Sequence, residues 1–536
     1  MIIYNYNDMV TTFIAMLGEF TGKSILLYGY KHFSNYYIDG LSNLLVFSLS
    51  KIFHPITVYW IVITFFLILN LYFSYKLISS LVRSRFISIL ISVIYSLSIY
   101  FLYRVSSFTF NFLPVFLFPM IVNLILQKEK PLYVVLCFFL AISLSSYYFY
   151  FLLVLVVISV TFTFMYKKTH VLRKHLLLLV LILSALFACS YKISLNQNGN
   201  YSKGLNRIVY RPIEDWYNLS FRPWYFFIPP KSSIFFGELS KNIHKKIQNT
   251  GHYLADDYME EEMAGSYMGW HFLIGLGVVV TLLLIRKFKG KEFTTFKSVY
   301  ENREVIYRSF FIIFCILLIS GPPSFTIKGI KIYTPTYLLY YIVPVFRTLV
   351  RWAVVIYLFV LIINSFLVQD LYNLMKNKFQ KILFIISFLS LNFVVFAIKI
   401  PVININKPPQ EIAFVKEKYP ESVPYAVYPK GDYYSIFWII SHEDLLINPV
   451  NFMNHETGFD SNEFSKNLIT EEGIKEFLKH NPKYLIYYPE NISDEDLEKI
   501  NKINNNLENR EDIRDFFERE IGNIAHVGNV IIFEVR

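Results

Sequence analysis

Runs free of Lys, Arg, Asp and Glu recur through the first 400 residues, each closed by a short polar turn. They fall at residues 56–75, 86–103, 105–127, 176–191, 263–285, 309–320, 352–369 and 382–398. A helix needs about 20 apolar residues to cross a bilayer, fewer where neighbours thin it, so each run is a candidate span. Residues 131–166 are longer, 36 positions without a charge. As one helix they would reach about 54 Å against a hydrocarbon core of about 30 Å. The pattern therefore predicts two short helices with a break near Ser145-Ser146-Tyr147-Tyr148. This gives ten spans, within a fold of about ten to twelve transmembrane helices.

Basic residues orient the spans. Arg83 and Arg85, Lys128 and Lys130, a group from Lys167 to Lys174, a group from Arg286 to Lys291, and a group from Lys376 to Lys381 each occupy one short loop. All five are expected inside by the positive-inside rule, and the parity works only if 131–166 is a hairpin. The long loop 192–262 then lies outside, as does a first outer loop at residues 1–55. Nothing like a signal peptide precedes that loop. Either a first transmembrane helix is expected to be missing, or residues 1–18 insert shallowly and the first real span exports them. Residues 41–53 are apolar but short, suited to a surface-lying or re-entrant helix. Residues 321–351 have both ends outside and carry Pro344, so they are expected to dip into the outer leaflet and return, protected by protein.

Composition agrees with the pattern. The 536 residues are 54% hydrophobic and 17% charged, where soluble domains carry about 25% charged residues. Mean hydropathy is +0.41. The chain is expected to be a polytopic α-helical membrane protein, 1–400, followed by a small C-terminal α/β extracytoplasmic domain, 401–536. In that tail Tyr425–Tyr428, Tyr484–Tyr488 and Val530–Phe533 read as strands, and 474–479 and 495–503 as helices. Cys137, Cys189 and Cys315 all lie in hydrophobic runs and read as small apolar groups, not as a disulfide framework or metal site.

Charge is unevenly divided. Residues 401–536 hold 14 Lys+Arg and 24 Asp+Glu, a net of −10; the remaining 400 hold 37 and 16, a net of +21. A basic membrane body suits anionic headgroups or a phosphate-bearing substrate. Nucleic acid would suit the charge but not the hydrophobic spans, so it is excluded as a partner.

The candidate chemistry sits in the outer loops. Asp8 is the first acid of the chain, before the uncharged run 9–18 that ends at Glu19; Asp39 precedes Gly40. A carboxylate at a membrane surface can take a proton from a hydroxyl or hold a metal ion; as a plain solvated residue, Asp8 would cap a short helix. Arg104 is a lone charge between two spans, a snorkelling anchor or a bidentate phosphate clamp. Tyr147 and Tyr148 are interfacial aromatics or sugar-stacking groups. Arg207, Arg211, Glu214, Asp215 and Trp216 crowd ten residues of the large loop, as a polar cleft or as internal ion pairs. Arg347 and Arg351 are i, i+4, so on a helix they share a face at the outer surface, where an anion such as a lipid phosphate would relieve their repulsion. The run Glu260-Glu261-Glu262 is expected to face water.

Several short motifs carry a family likeness. They are Asp8 followed by a helix-like run to Glu19, the stretch Ile94-Tyr-Ser-Leu-Ser-Ile-Tyr100, Leu113-Pro114 and Phe118-Pro119, Ser146-Tyr147-Tyr148, and Pro344-Val-Phe-Arg347. With an acidic first outer loop, a large later outer loop and a C-terminal outer domain, the chain resembles the GT-C superfamily of integral membrane glycosyltransferases, and within it the YfhO-type membrane proteins. It departs from them in lacking the first span and in total length. The resemblance implies a transferase that takes a sugar from a polyprenyl-phosphate-linked donor, entering from the outer leaflet, to an extracytoplasmic acceptor glycan, polymer or lipid. Asp8 would then deprotonate the acceptor or hold a divalent cation (Mg2+ or Mn2+), with Glu19 and Asp39 as alternates. Arginines would stabilise the leaving lipid phosphate. The rival readings are a transporter or flippase of a lipid-linked glycan, which would place charges within spans, and a non-catalytic membrane scaffold.

Overall fold

The computed structural model describes residues 40–106, 110–126, 131–166, 213–248, 260–327, 330–342, 348–399, 410–419, 423–429, 445–447, 453–454 and 459–535. Among these, five helices are long and apolar enough to cross a membrane, six if one bent pair counts as a single span. The expected span 176–191, with Cys189, lies outside the described residues, as do most of the first outer loop and residues 192–212 and 249–259 of the large one.

One helix organises the rest. Ala353–Leu374 is buried along its whole apolar stretch, packed against Arg303–Ser320, Trp270–Lys289 and Arg85–Ser96. Its sequence is hydrophobic all round, as a helix with protein on every side requires. Three of its polar side chains, Asn364, Gln369 and Asp370, are tied to neighbouring segments. The Asn364 amide donates to the Phe272 carbonyl at 3.2 Å, and Gly275 lies against it where no side chain fits. Near the other end Gln369 accepts from the Arg83 and Ser84 backbone amides, while Asp370 accepts from those of Ser298 and Val299 at 3.0 and 3.2 Å. Two of the short loops are thereby pinned to the central helix. By contrast Lys378–Phe396 buries little of its surface and turns Phe379, Ile382, Ile386 and Phe393 outward.

The expected spans differ from the helices in two places. Residues 86–103 form two helices, Arg85–Ser96 and Ile99–Ser106, bent by 45°. Residues 105–127 are not one helix: a single 3-10 turn, Phe110–Phe112, and the unwound Leu113-Pro114 precede Leu117–Leu126. Pro114 has no amide hydrogen to continue a helix. Asn70, buried in Pro55–Leu81, serves the freed backbone by donating to the Leu113 carbonyl at 3.2 Å and accepting from the Phe116 amide at 2.8 Å. The break in 131–166 falls at Ser145, between Pro131–Leu144 and Ser146–Tyr166. The Phe138 and Phe149 rings meet with centroids 5.7 Å apart. Eleven residues of straight helix would separate them by about 16 Å, so the chain turns sharply there.

Residues 321–351 contain an antiparallel hairpin, Ser324–Ile327 with Ile330–Tyr333, then a short helix, Pro335–Ile342. The tail forms a five-stranded sheet. Leu445–Leu446, Pro424–Tyr428 and Tyr484–Tyr487 run parallel, and Val530–Val535 and Gly522–Val527 complete it antiparallel. Every residue of Tyr484–Tyr487 is buried, as a central strand covered on both faces demands. Ser493 and Asn509 begin the helices Asp494–Ile503 and Arg510–Glu520 with capping boxes.

Candidate functional site

Three helix ends converge on one carboxylate. Arg104 stands in the last turn of Ile99–Ser106, Glu262 in the turn Glu260–Met263 before Trp270–Lys289, and Arg351 in the 3-10 turn Leu349–Trp352 that opens the central helix. Gly265 allows the approach: a Cβ there would lie 2.9 Å from the Tyr100 ring. Val350 donates its amide to the Leu219 carbonyl and Phe221 donates to that of Ser320, so the large loop closes over the same end.

Glu262 is 2% exposed and Arg104 1%. The carboxylate accepts from both arginines. Arg351 Nε reaches Oε2 at 2.9 Å and its Nη2 reaches Oε1; Arg104 Nη1 reaches Oε1 at 3.2 Å and its Nη2 reaches Oε2. Burial alone would raise the Glu262 pKa, but the two guanidinium groups outweigh it and hold the carboxyl well below the usual range. A carboxylate that is ionised throughout and saturated by four charge-assisted donors is not a general base.

Aromatic rings wall the arginines. The Arg351 guanidinium lies 4.0 Å from the Phe112 ring centre and 4.8 Å from that of Tyr147; Arg104 lies 5.0 Å from Tyr100 and 5.5 Å from Phe112. Stacking of this kind favours arginine over lysine. The Tyr148 hydroxyl is buried, 2.7 Å from the Phe112 carbonyl and 3.1 Å from the Tyr100 hydroxyl. Arg351 is buried, at 8% exposed, and the half-buried Tyr147 lies at the rim of the cluster.

The structure thus brings together Arg104, Tyr147, Tyr148 and Arg351, four of the six residues nominated for binding. Arg211 and Arg347 lie outside the described residues, and so do Asp8, Glu19 and Asp39. Two expectations change. Arg104 is neither in a turn nor snorkelling, because it is helical and buried. Arg351 belongs to a 3-10 turn, and the shared face expected of Arg347 and Arg351 lies outside the described residues. Glu262 does not face water. Its signal was its place in the triple-Glu run, the last acid before an apolar span and opposite in sign to the lone arginines at two other span ends. Among the described residues no group of three or more His, Cys, Asp or Glu is placed to hold a metal ion. Cys137 and Cys315 are free thiols.

No family model matches the chain, and no curated protein matches it. A solved structure, the archaeal oligosaccharyltransferase AglB from Archaeoglobus fulgidus in complex with an inhibitory peptide and a dolichol-phosphate, is similar at 11% identity and a TM-score of 0.38, over 91% of this chain and 67% of that one. At that score the likeness assigns neither substrate nor residue roles. The class the chain itself defines is a helical membrane protein with a small sheet-containing tail and a buried Arg–Glu–Arg cluster where its spans end.

Proposed function

We propose that the protein is a membrane glycosyltransferase that moves a sugar from a polyprenyl-phosphate-linked donor to an extracytoplasmic acceptor, with its chemistry on the outer face. One observation carries this reading. Residues that the sequence nominates for phosphate and sugar contact, from segments as distant as Arg104 and Arg351, share one cluster at the ends of the spans. Glu262 fixes both guanidinium groups, and the half-buried Tyr147, stacked on Arg351, marks the side from which a lipid phosphate and its sugar would arrive. Since Glu262 is spent on the arginines, the proton acceptor is assigned to the first outer loop. Asp8 serves as base or as ligand of a divalent cation, with Glu19 and Asp39 as alternates.

The transporter reading gains less support. Asp370, a buried acid of the central helix, is engaged by two backbone amides and caps the turn Lys297–Glu301. The test is sugar transfer from a synthetic polyprenyl-phosphate donor by purified protein in nanodiscs. Transfer that Asp8→Asn abolishes supports the proposal; no transfer from any donor, with donor lipid moved between leaflets instead, replaces it with transport.

A further inference from the structure

The hairpin after Arg303–Ser320 has two chemically different faces. Cross-strand pairing sets Phe325 against Ile332 and, on the opposite face, Ser324 against Tyr333 and Thr326 against Lys331. Side chains alternate along a strand, so Ile330 and Ile332 share the face of Phe325, while Thr326 and Lys331 share the other. An amphipathic ribbon normally hides its apolar face in a core. Here Ile330 is 69% exposed and Ile332 40%. The next helix repeats the pattern. Leu338 and Tyr341 of Pro335–Ile342 are both mostly exposed, and the Tyr333, Tyr337 and Tyr341 rings follow one another at 4.4 and 5.1 Å.

We propose that this hairpin and helix form an interfacial membrane element, its isoleucine face seated at the acyl boundary and its tyrosines and Lys331 at the headgroups. The occupant is the lipid surface because of where the element is tied. Thr334 Oγ1 donates to the Pro322 carbonyl at 2.6 Å and Thr336 Oγ1 to that of Leu318 at 3.2 Å. Leu318 and Phe314, one turn apart in the charge-free half of Arg303–Ser320, are exposed and apolar. The ribbon starts four residues beyond the end of that helix, so if the apolar run 309–320 sits in the bilayer, the ribbon stays close to its surface. It does not enter the hydrocarbon: an open two-stranded ribbon has unpaired edge N–H and C=O groups, which water and headgroups satisfy and lipid tails do not. Two strands alone are marginal in water, so a covered apolar face also accounts for the hairpin's persistence.

The experiment places an environment-sensitive fluorophore on single cysteines at Thr326, Ile330, Lys331 and Ile332, in full-length protein whose native cysteines are replaced by alanine, in nanodiscs. All four side chains are exposed, so labelling disturbs no packing. Expected is a period of two: labels at 330 and 332 blue-shifted and quenched by spin-labelled acyl chains, labels at 326 and 331 quenched by aqueous iodide. Iodide quenching at all four positions overturns the proposal. So does protection of 330 and 332 that appears only on adding an oligosaccharide, which would make the ribbon a glycan platform. Circular dichroism and size-exclusion profiles matching the unlabelled protein tie either outcome to the folded chain.

Discussion

Arg351 meets Glu262 side-on, its Nε 2.9 Å from one carboxylate oxygen and its Nη2 on the other, across 89 positions of sequence. The pair joins the opening of the central helix to the entry of Trp270–Lys289, and Arg104 adds the end of Ile99–Ser106. Burying ions is costly, so such a cluster is weak evidence for net stabilisation; breaking one partner is a different matter, because the others stay buried.

Glu262→Gln is therefore expected to destabilise the protein by about 3–5 kcal/mol, and Glu262→Gln with Arg351→Met together by less than the sum of the two single changes. Unfolding in mixed micelles, followed through a double-mutant cycle, measures the coupling. Additive single effects would mean that the two side chains do not share a charge pair.

Packing at the small residues gives a second expectation. Asn364 occupies the space a Cβ at Gly275 would need, and Tyr100 crowds Gly265 at 2.9–3.0 Å. Gly275→Ala must displace Asn364 from the Phe272 carbonyl, a buried hydrogen bond, and is expected to cost about 1–3 kcal/mol. Gly277→Ala, with nothing within 4 Å, is the control and leaves the melting temperature unchanged. Equal melting temperatures for both variants would refute the packing.

These features differ in how visible they are in the chain. Charge-free runs locate helices because lipid and protein interiors both exclude unpaired charge, and 131–166 announces its own break by length. Where the backbone unwinds at Leu113-Pro114 the run looks uninterrupted, since its compensation is a single amide, Asn70, more than 40 residues earlier. The tail strands are readable from aromatic and β-branched runs; their order is not, because pairing of Tyr425 with Tyr484 is a contact of the fold. For the site, lone arginines at span ends draw attention through the cost of charge near lipid. Glu262 hides among three identical residues, and only the fold decides which of them turns inward.

His244 sets a pH dependence outside the spans. It is buried in Gly237–Gln248, and burial, helped by the Lys231 charge, pushes its pKa down to about 4. The neutral ring is the form that the fold accepts. Its contribution is thus complete above the unfolded value of about 6.5 and is lost as pH falls toward 4. Limited proteolysis of the loop is expected to rise between pH 6.5 and 4, and His244→Gln to flatten that rise. An unchanged profile in His244→Gln would assign the acid sensitivity to another group.

The division of labour proposed between the Arg cluster and the first outer loop is testable by kinetics. Asp8→Asn keeps the shape and removes the charge; loss of a general base typically costs about 10²- to 10⁴-fold, so kcat should fall by at least that order. Donor binding should survive, because the lost interaction acts mainly in the transition state. Glu19→Gln and Asp39→Asn should do less. On the proposed reading Arg351 would act on the donor phosphate, and Arg351→Lys retains a cation while losing the fork seen on Glu262. It is expected to raise KM for the polyprenyl-phosphate donor without moving KM for the acceptor. Steady-state transfer in nanodiscs, with donor and acceptor varied separately, measures both. Full activity in Asp8→Asn with loss in Asp39→Asn moves the base downstream in the same loop. If Arg351→Lys lowers stability with both KM values unchanged, the cluster only holds three helix ends together and the donor phosphate binds elsewhere.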